Sequence, residues 1–314
     1  MVKYIQMHRG QHCPRIIMEW DMISVRESAY AKINLYLDVL AKREDGFHDI
    51  KTIMHTVSLK DDITVSVKRA AKSRVRLTVA GSTRLPTDSR NLAVKAAELF
   101  LSSTLISAEV NIKLVKNIPV SAGLAGGSTD AAAVLRALNK AFRKPLTEKR
   151  LLELAGELGS DVPYCLLGGT ALCLGRGENI ERLPGKLRLH LVIAVADEYV
   201  STPMAYAELD KVYGDFKEPR VDNSTACYDA ILDATKDGSV KSTELFNIFE
   251  KAIFPICSVA ESIKCDMRTL GATHSLMSGS GPSVYGVFTD CESAENAVEH
   301  FVKQGIRAYY ATTV

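Results

Sequence analysis

The chain has 314 residues, 46% hydrophobic and 24% charged, a balance that supports buried cores and excludes a disordered polymer. Lys and Arg total 39 against 37 Asp and Glu, so a net charge of +2 provides no whole-molecule field for nucleic acid or an anionic membrane. Any anionic ligand must be held by a local site. The 7 cysteines form no CxxC pair and are odd in number, which argues against a disulfide scaffold or zinc site and for reduced thiols in a cytoplasmic protein.

No apolar run approaches the ~20 residues of a membrane span. Residues 1–23 carry no signal-peptide core and are predicted to be an extension, with Met18 and Met22 equally good starts. From Ile23 to Val79 the sequence predicts strands: SVRESAYAKINLYLDVL is rich in β-branched and aromatic residues, and ITVSVKR and VRLTVAG alternate. Asp88, Ser89 and Asn91 precede a helix whose Leu92, Ala96, Leu99 and Phe100 share a stripe. EVNIKLVKNI is a further strand, and after a small-residue loop AAAVLRALNKAF is a helix. LTEKRLLELAGEL follows as a helix closed by Gly159, then TALCLGRGENIERLPG as a hairpin. LRLHLVIAVA predicts a buried strand, and residues 203–270 several helices interrupted by GDFKEPRVDN. THSLMSGSGPSVYGVFT, CESAENAVEHFVKQ and IRAYYATTV predict a strand–turn–strand, a helix and a last strand. Strands and helices cluster instead of alternating strictly, which predicts an α+β protein of two domains, 24–185 and 186–314.

The loop PVSAGLAGGSTD, 119–130, lies between a strand and a helix. Small residues leave its amides uncovered, and the positive end of the following helix favours an anion. It is neither a Walker A sequence nor a dinucleotide fingerprint. It is either a phosphate cradle or a tight turn capped by Ser128 or Thr129. SGSGPSVYG, from Ser278, is a hairpin turn or a wall that lets backbone approach a ligand closely. Lys32, in the apolar run AYAKINLYL, would by itself be a snorkelling lysine, and Asp161, in GSDVPYCL, a helix cap. His48 and His55 are spaced too widely for an ordinary metal pair.

Four segments in order, AKINLYLDVLAKREDGFHDI, PVSAGLAGGSTDAAAVLRALN, GSDVPYCLLGGTALCLGRGE and MSGSGPSVYGVF, resemble the GHMP kinase superfamily across residues 24–314. REDGFH and the GSDVPYC block make the chain most similar to the branch acting on 4-diphosphocytidyl-2-C-methyl-D-erythritol in non-mevalonate isoprenoid synthesis. The resemblance implies an N-terminal domain like domain two of ribosomal protein S5 and a ferredoxin-like C-terminal α/β domain, with the site between them. It assigns Pro119, Val120, Ser121, Ala122, Gly123, Leu124, Ala125, Gly126, Gly127, Ser128 and Thr129 to ATP phosphates. Lys32 and Asp161 are assigned to catalysis. Asn34, Phe47, His48, Tyr206, Gly279, Ser280 and Gly281 are assigned to the cytidine substrate, with Phe47 and Tyr206 sandwiching the base and His48 reading its edge. Ser121, Ala122 and Ala125 stand where the family usually has glycine. An alanine at 125 forced to positive φ would cost roughly 1 kcal/mol.

The implied reaction moves the γ-phosphoryl group of ATP to the substrate's 2-hydroxyl. Asp161 would act as base, Lys32 would keep Asp161 ionised and touch the phosphate, and Mg²⁺ would bind through Ser128 or Thr129. The partners expected are two small molecules, with no nucleic acid and no membrane. Two alternatives stay open: another GHMP small-molecule kinase of mevalonate or homoserine type, and a non-catalytic RNA-binding protein. The latter would need the basic cluster Lys68, Arg69, Lys72, Arg74, Arg76, which otherwise reads as a solvated hairpin.

Overall fold

The computed structural model describes residues 22–81, 85–185, 187–214, 216, 224–237, 240 and 245–314. The expected extension lies outside them up to residue 21, as does most of the polar stretch 214–223. Two long strands, β1 (Ile23–Lys42) and β2 (His48–Arg69), pair antiparallel and frame the N-terminal half. β2 changes partner along its length. Asp62–Arg69 pairs with β4 (Ala108–Val115), which carries β3 (Arg74–Ala80) parallel on its outer edge. Ile50–His55 pairs with β5 (Thr170–Gly175), itself in a hairpin with β6 (Asn179–Arg182). The basic cluster at 68–76 is exposed at all five positions, but it is not a hairpin, because β3 pairs with β4 and not with β2.

Alternation within the strands decides which side chains meet which layer. Ile63, Val65 and Val67 face a core shared with Val110, Ile112 and Leu114 and with α1 (Leu92–Thr104) and α2 (Gly126–Ala141). Asn91 caps α1 by accepting from the Ala93 amide, as its position before the apolar stripe predicts. The alanines of α2 let it sit close between α1 and the sheet, and α3 (Glu148–Leu158) and α4 (Val162–Leu167) complete this layer.

β7 (His190–Val195), β9 (His274–Met277), β10 (Ser283–Phe288) and β11 (Arg307–Thr312) form a second, antiparallel sheet in the order β11-β7-β10-β9. Val192 and Ala194 of β7 face α8 (Ser258–Thr269) and α9 (Cys291–Lys303), whereas Leu191, Ile193 and Val195 face Ile33, Leu35 and Ile53 of the first sheet. This two-sided burial explains why LRLHLVIAVA is apolar almost throughout. The halves therefore share one core. β8 (Phe246–Asn247) binds them further by pairing parallel with Tyr36 and Leu37 of β1. α5 (Thr202–Tyr213), α6 (Ser224–Asp237) and α7 (Glu250–Ile253) lie on the C-terminal side. No described helix is long and apolar enough to cross a membrane.

Candidate active site

A cavity of about 870 Å³ opens where the two halves meet, lined by the 121–128 loop, β1, the start of α4, α5 and two turns. Its floor follows from the alternation of β1. Ala31, Ile33 and Leu35 go into the shared core, so the intervening Lys32 and Asn34 face the opposite side, where the cavity lies. Lys32 is only 4% exposed, which excludes the snorkelling reading. Its ammonium donates to Asn34 Oδ1 at 2.7 Å, Asn34 Nδ2 donates to Thr52 Oγ1 at 2.8 Å, and Thr52 donates to the Tyr36 carbonyl at 2.6 Å. The chain of bonds fixes the lysine. Asp161 lines the same cavity at the N-cap of α4, where its carboxylate makes no capping bond. Among the described residues Lys32 and Asp161 form no ion pair, so the lysine's direct partner is Asn34 and not the expected carboxylate.

The phosphate loop is braced from two sides. The Leu124 carbonyl accepts the Lys32 backbone N–H at 3.3 Å. On the other side Ser278 Oγ donates to the Gly123 carbonyl at 3.1 Å. A Cβ on Gly123 would fall 2.2 Å from the Ser278 carbonyl oxygen, and one on Gly279 would fall 2.9 Å from the Gly123 oxygen. The SGSGP turn thus packs backbone to backbone on the loop as a wall of the cavity. Asn247 holds that turn in place, donating to the Met277 and Gly279 carbonyls at 2.7 and 2.8 Å.

Ser121 and Ala125, two of the three positions where glycine was expected, have φ of +55° and +57°. The left-handed geometry is kept, at roughly 1–2 kcal/mol for each non-glycine residue. Ala125 is the N-cap of α2 and offers no side-chain bond, so neither Ser128 nor Thr129 caps the helix, and its first residues, Gly126, Gly127 and Ser128, line the cavity. Beneath them the Lys116 ammonium bridges Asp61 and Asp130, the latter at 2.9 Å, all three buried. Burial, opposed by Lys116 and reinforced by Asp61, pushes the Asp130 carboxyl up to about 8.

Most of the predicted residues line the cavity: Ser121, Ala122, Gly123, Ala125, Gly126, Gly127, Ser128, Lys32, Asn34, Phe47, His48, Asp161, Tyr206, Gly279 and Ser280. Five do not. Pro119 and Leu124 are buried, Val120 is outside the lining, and Gly281 backs Gly123 from behind. Thr129, expected as a metal donor, is 1% exposed and spends its hydroxyl on the Tyr30 carbonyl at 2.7 Å.

The aromatic end also differs from expectation. Tyr206 stacks on His48, centroids 4.6 Å apart at 21°, and meets Phe249 edge-on at 5.0 Å. Phe47 lies under the Arg176 guanidinium at 3.7 Å. Each ring of the expected sandwich therefore already has a partner. His48 Nε2 is 2.8 Å from Asp210 Oδ1, and Lys42 reaches the other oxygen at 2.5 Å. Burial would raise Asp210, but the bonds from Lys42 and His48 outweigh it and hold the carboxyl below its usual range. Burial, with the Asp161 charge adding to it, pushes the Tyr206 phenol up. Asp210, Arg176, Thr52 and Asn247 were not singled out from the sequence. Only Arg176 carried a local signal, the Gly-Arg-Gly turn.

The geometry agrees with what the chain resembles. Residues 91–169 match the GHMP kinases N terminal domain and 233–307 the GHMP kinases C terminal domain. A 4-diphosphocytidyl-2-C-methyl-D-erythritol kinase of Caldicellulosiruptor bescii is 42% identical over 88% of this chain and 94% of its own length. A crystal structure of 4-(cytidine 5'-diphospho)-2C-methyl-D-erythritol kinase superposes with a TM-score of 0.75 at 32% identity, covering 92% of this chain and 99% of the other. Homoserine kinase from Cytophaga hutchinsonii shares the fold, with a TM-score of 0.70 at 20% identity over 97% of each chain. The chain belongs to the GHMP kinases, in the family of 4-diphosphocytidyl-2-C-methyl-D-erythritol kinases.

Proposed function

We propose that the chain transfers the γ-phosphoryl group of ATP to the 2-hydroxyl of 4-diphosphocytidyl-2-C-methyl-D-erythritol, a step of the non-mevalonate route to isoprenoid precursors. The observation that carries this reading is a single cavity that joins Lys32 and Asp161 to an uncapped helix start on one side and to the His48–Tyr206 stack on the other. Phosphoryl transfer has a loose transition state, so the protein's task is positioning and charge stabilisation. Amides of 123–128 and the α2 terminus receive the ATP phosphates. Asp161, unused as a cap, takes the acceptor's proton, and Lys32, fixed through Asn34, stabilises the charge between acceptor oxygen and γ-phosphate. The His48–Tyr206 stack and Phe47 receive the cytosine.

Mg²⁺ takes mainly water and phosphate oxygens, so a site with few protein donors suits it. Ser128 lines the cavity and fits as that donor, and Thr129 does not. When bound, the ion would supply positive charge that neutralises the transferring phosphates. The 24–185 and 186–314 halves act as the two domains of the kinase, with β8 crossing back to the first. The six described cysteines form no disulfide with one another, which suits the reducing cytoplasm, and the reaction needs two small molecules and no nucleic acid. Phosphorus NMR of a reaction with the cytidine substrate tests the reading: a new phosphomonoester resonance and ADP are expected together, and ADP without that resonance would contradict it.

A further inference from the structure

The substrate proposed above carries a diphosphate between its base and its reacting hydroxyl, and that charge needs a counterpart. Apart from His48, already engaged by Asp210, the cavity's described cationic lining is Lys32 and Arg176. Lys32 is bonded to Asn34 at the floor. Arg176 stands at the rim in the turn between β5 and β6, its backbone N–H held by Glu178 Oε2 at 2.6 Å. Its guanidinium lies 3.7 Å over the Phe47 ring, at the aromatic end. The adjacent Gly177 packs towards Ser160, whose neighbour is Asp161, so the turn also borders the reacting end. Among the described residues the guanidinium forms no ion pair; the Asp45 carboxylate, close enough to feel its charge, is itself held by Arg43, so no carboxylate bridges the planar fork.

We propose that Arg176 recognises the diphosphate of the cytidine substrate, stationed by Phe47 between the base site and Asp161. A planar fork of five donors matches phosphate oxygens in pairs, which a lysine cannot do. The inference rests on the substrate reading above and concerns recognition, not the chemical step.

The test compares wild type, Arg176→Ala and Arg176→Lys by inhibition with cytidine, CMP and CDP, together with KM for the cytidine substrate and for ATP. Wild type should bind CDP more tightly than cytidine. Arg176→Ala should weaken CDP and raise the KM of the cytidine substrate by roughly 10-fold or more, the worth of a charged hydrogen bond. Cytidine inhibition and KM for ATP should stay within about twofold, and Arg176→Lys should recover part of the loss. An unchanged preference for CDP in Arg176→Ala overturns the inference and leaves the substrate reading standing. Equal weakening of cytidine and CDP overturns it in favour of packing on Phe47, and a rise confined to ATP overturns it in favour of the nucleotide. Failure of wild type to use the cytidine substrate overturns both.

Discussion

Replacing Gly123 with alanine should separate the two glycine loops that wall the cavity. The new Cβ would lie 2.2 Å from the Ser278 carbonyl oxygen and 3.1 Å from that of Gly281. Both are backbone atoms, so no side chain can rotate away. Gly123 also has φ +72°, where alanine costs roughly 1–2 kcal/mol. Forced overpacking adds about 1–3 kcal/mol, and losing the Ser278–Gly123 hydrogen bond adds about 1 kcal/mol. A total near 3–6 kcal/mol is a large part of an ordinary stability of about 5–15 kcal/mol, so the loops should part before the fold fails. At ~2–4 °C per kcal/mol, the first 3 kcal/mol correspond to a Tm drop of ~6–12 °C. Differential scanning fluorimetry reads that drop, and calorimetric titration with a non-hydrolysable ATP analogue should show affinity lost with it. Gly127→Ala is the control. Its Cβ would sit 3.6 Å from Leu92 Cδ1, an ordinary contact, and alanine favours the first turn of α2, so Tm should hold or rise. Equal Tm values and equal nucleotide affinity for Gly123→Ala and wild type would refute the bracing argument.

Asp161→Asn should lower kcat by roughly 10²–10⁴ with Tm unchanged, and wild-type turnover in the folded variant would remove Asp161 from proton transfer. Lys32→Met should be similarly damaging; retained activity would reduce the lysine to a structural partner of Asn34. Tyr206→Ala should raise KM for the cytidine substrate by roughly 5–150-fold, the equivalent of ~1–3 kcal/mol of stacking, and leave KM for ATP unchanged; parallel changes in both would show that Tyr206 only packs. Asp130 binds a proton in the folded state up to about 8 but releases it near the ordinary ~3.9 when unfolded, so its contribution to stability falls as pH rises through that window. Tm of wild type should therefore fall relative to Asp130→Asn between about pH 6 and 8, the upper half of that window, and identical pH profiles would refute the raised carboxyl.

The elements and the phosphate loop were legible because their signals are local. Alternation marks β4, Asn91 marks the start of α1, and the run of small residues marks the turn into α2. The resemblance supplied Lys32 and Asp161, which their immediate neighbours would have assigned to solvent and to a cap. What stayed hidden depends on residues distant in the chain. His48 meets Asp210 across 162 positions, and this partner and the Tyr206 stack occupy groups expected to face the base directly. The motif around Thr129 suggests a ligand hydroxyl, yet the Tyr30 carbonyl, 99 positions away in the chain, accepts it. Asn247 and the Lys116 bridge bear no motif, and only the packing of strand against loop shows them to be the supports of the two glycine turns.

ADP release measured with the same enzyme preparation and three acceptors tests the account most directly. With 4-diphosphocytidyl-2-C-methyl-D-erythritol, release should be saturable, should be abolished by Asp161→Asn, and should exceed that with mevalonate or homoserine at equal concentration. Equal or greater release with mevalonate or homoserine would contradict the assignment of the His48–Tyr206 end of the cavity to a cytidine.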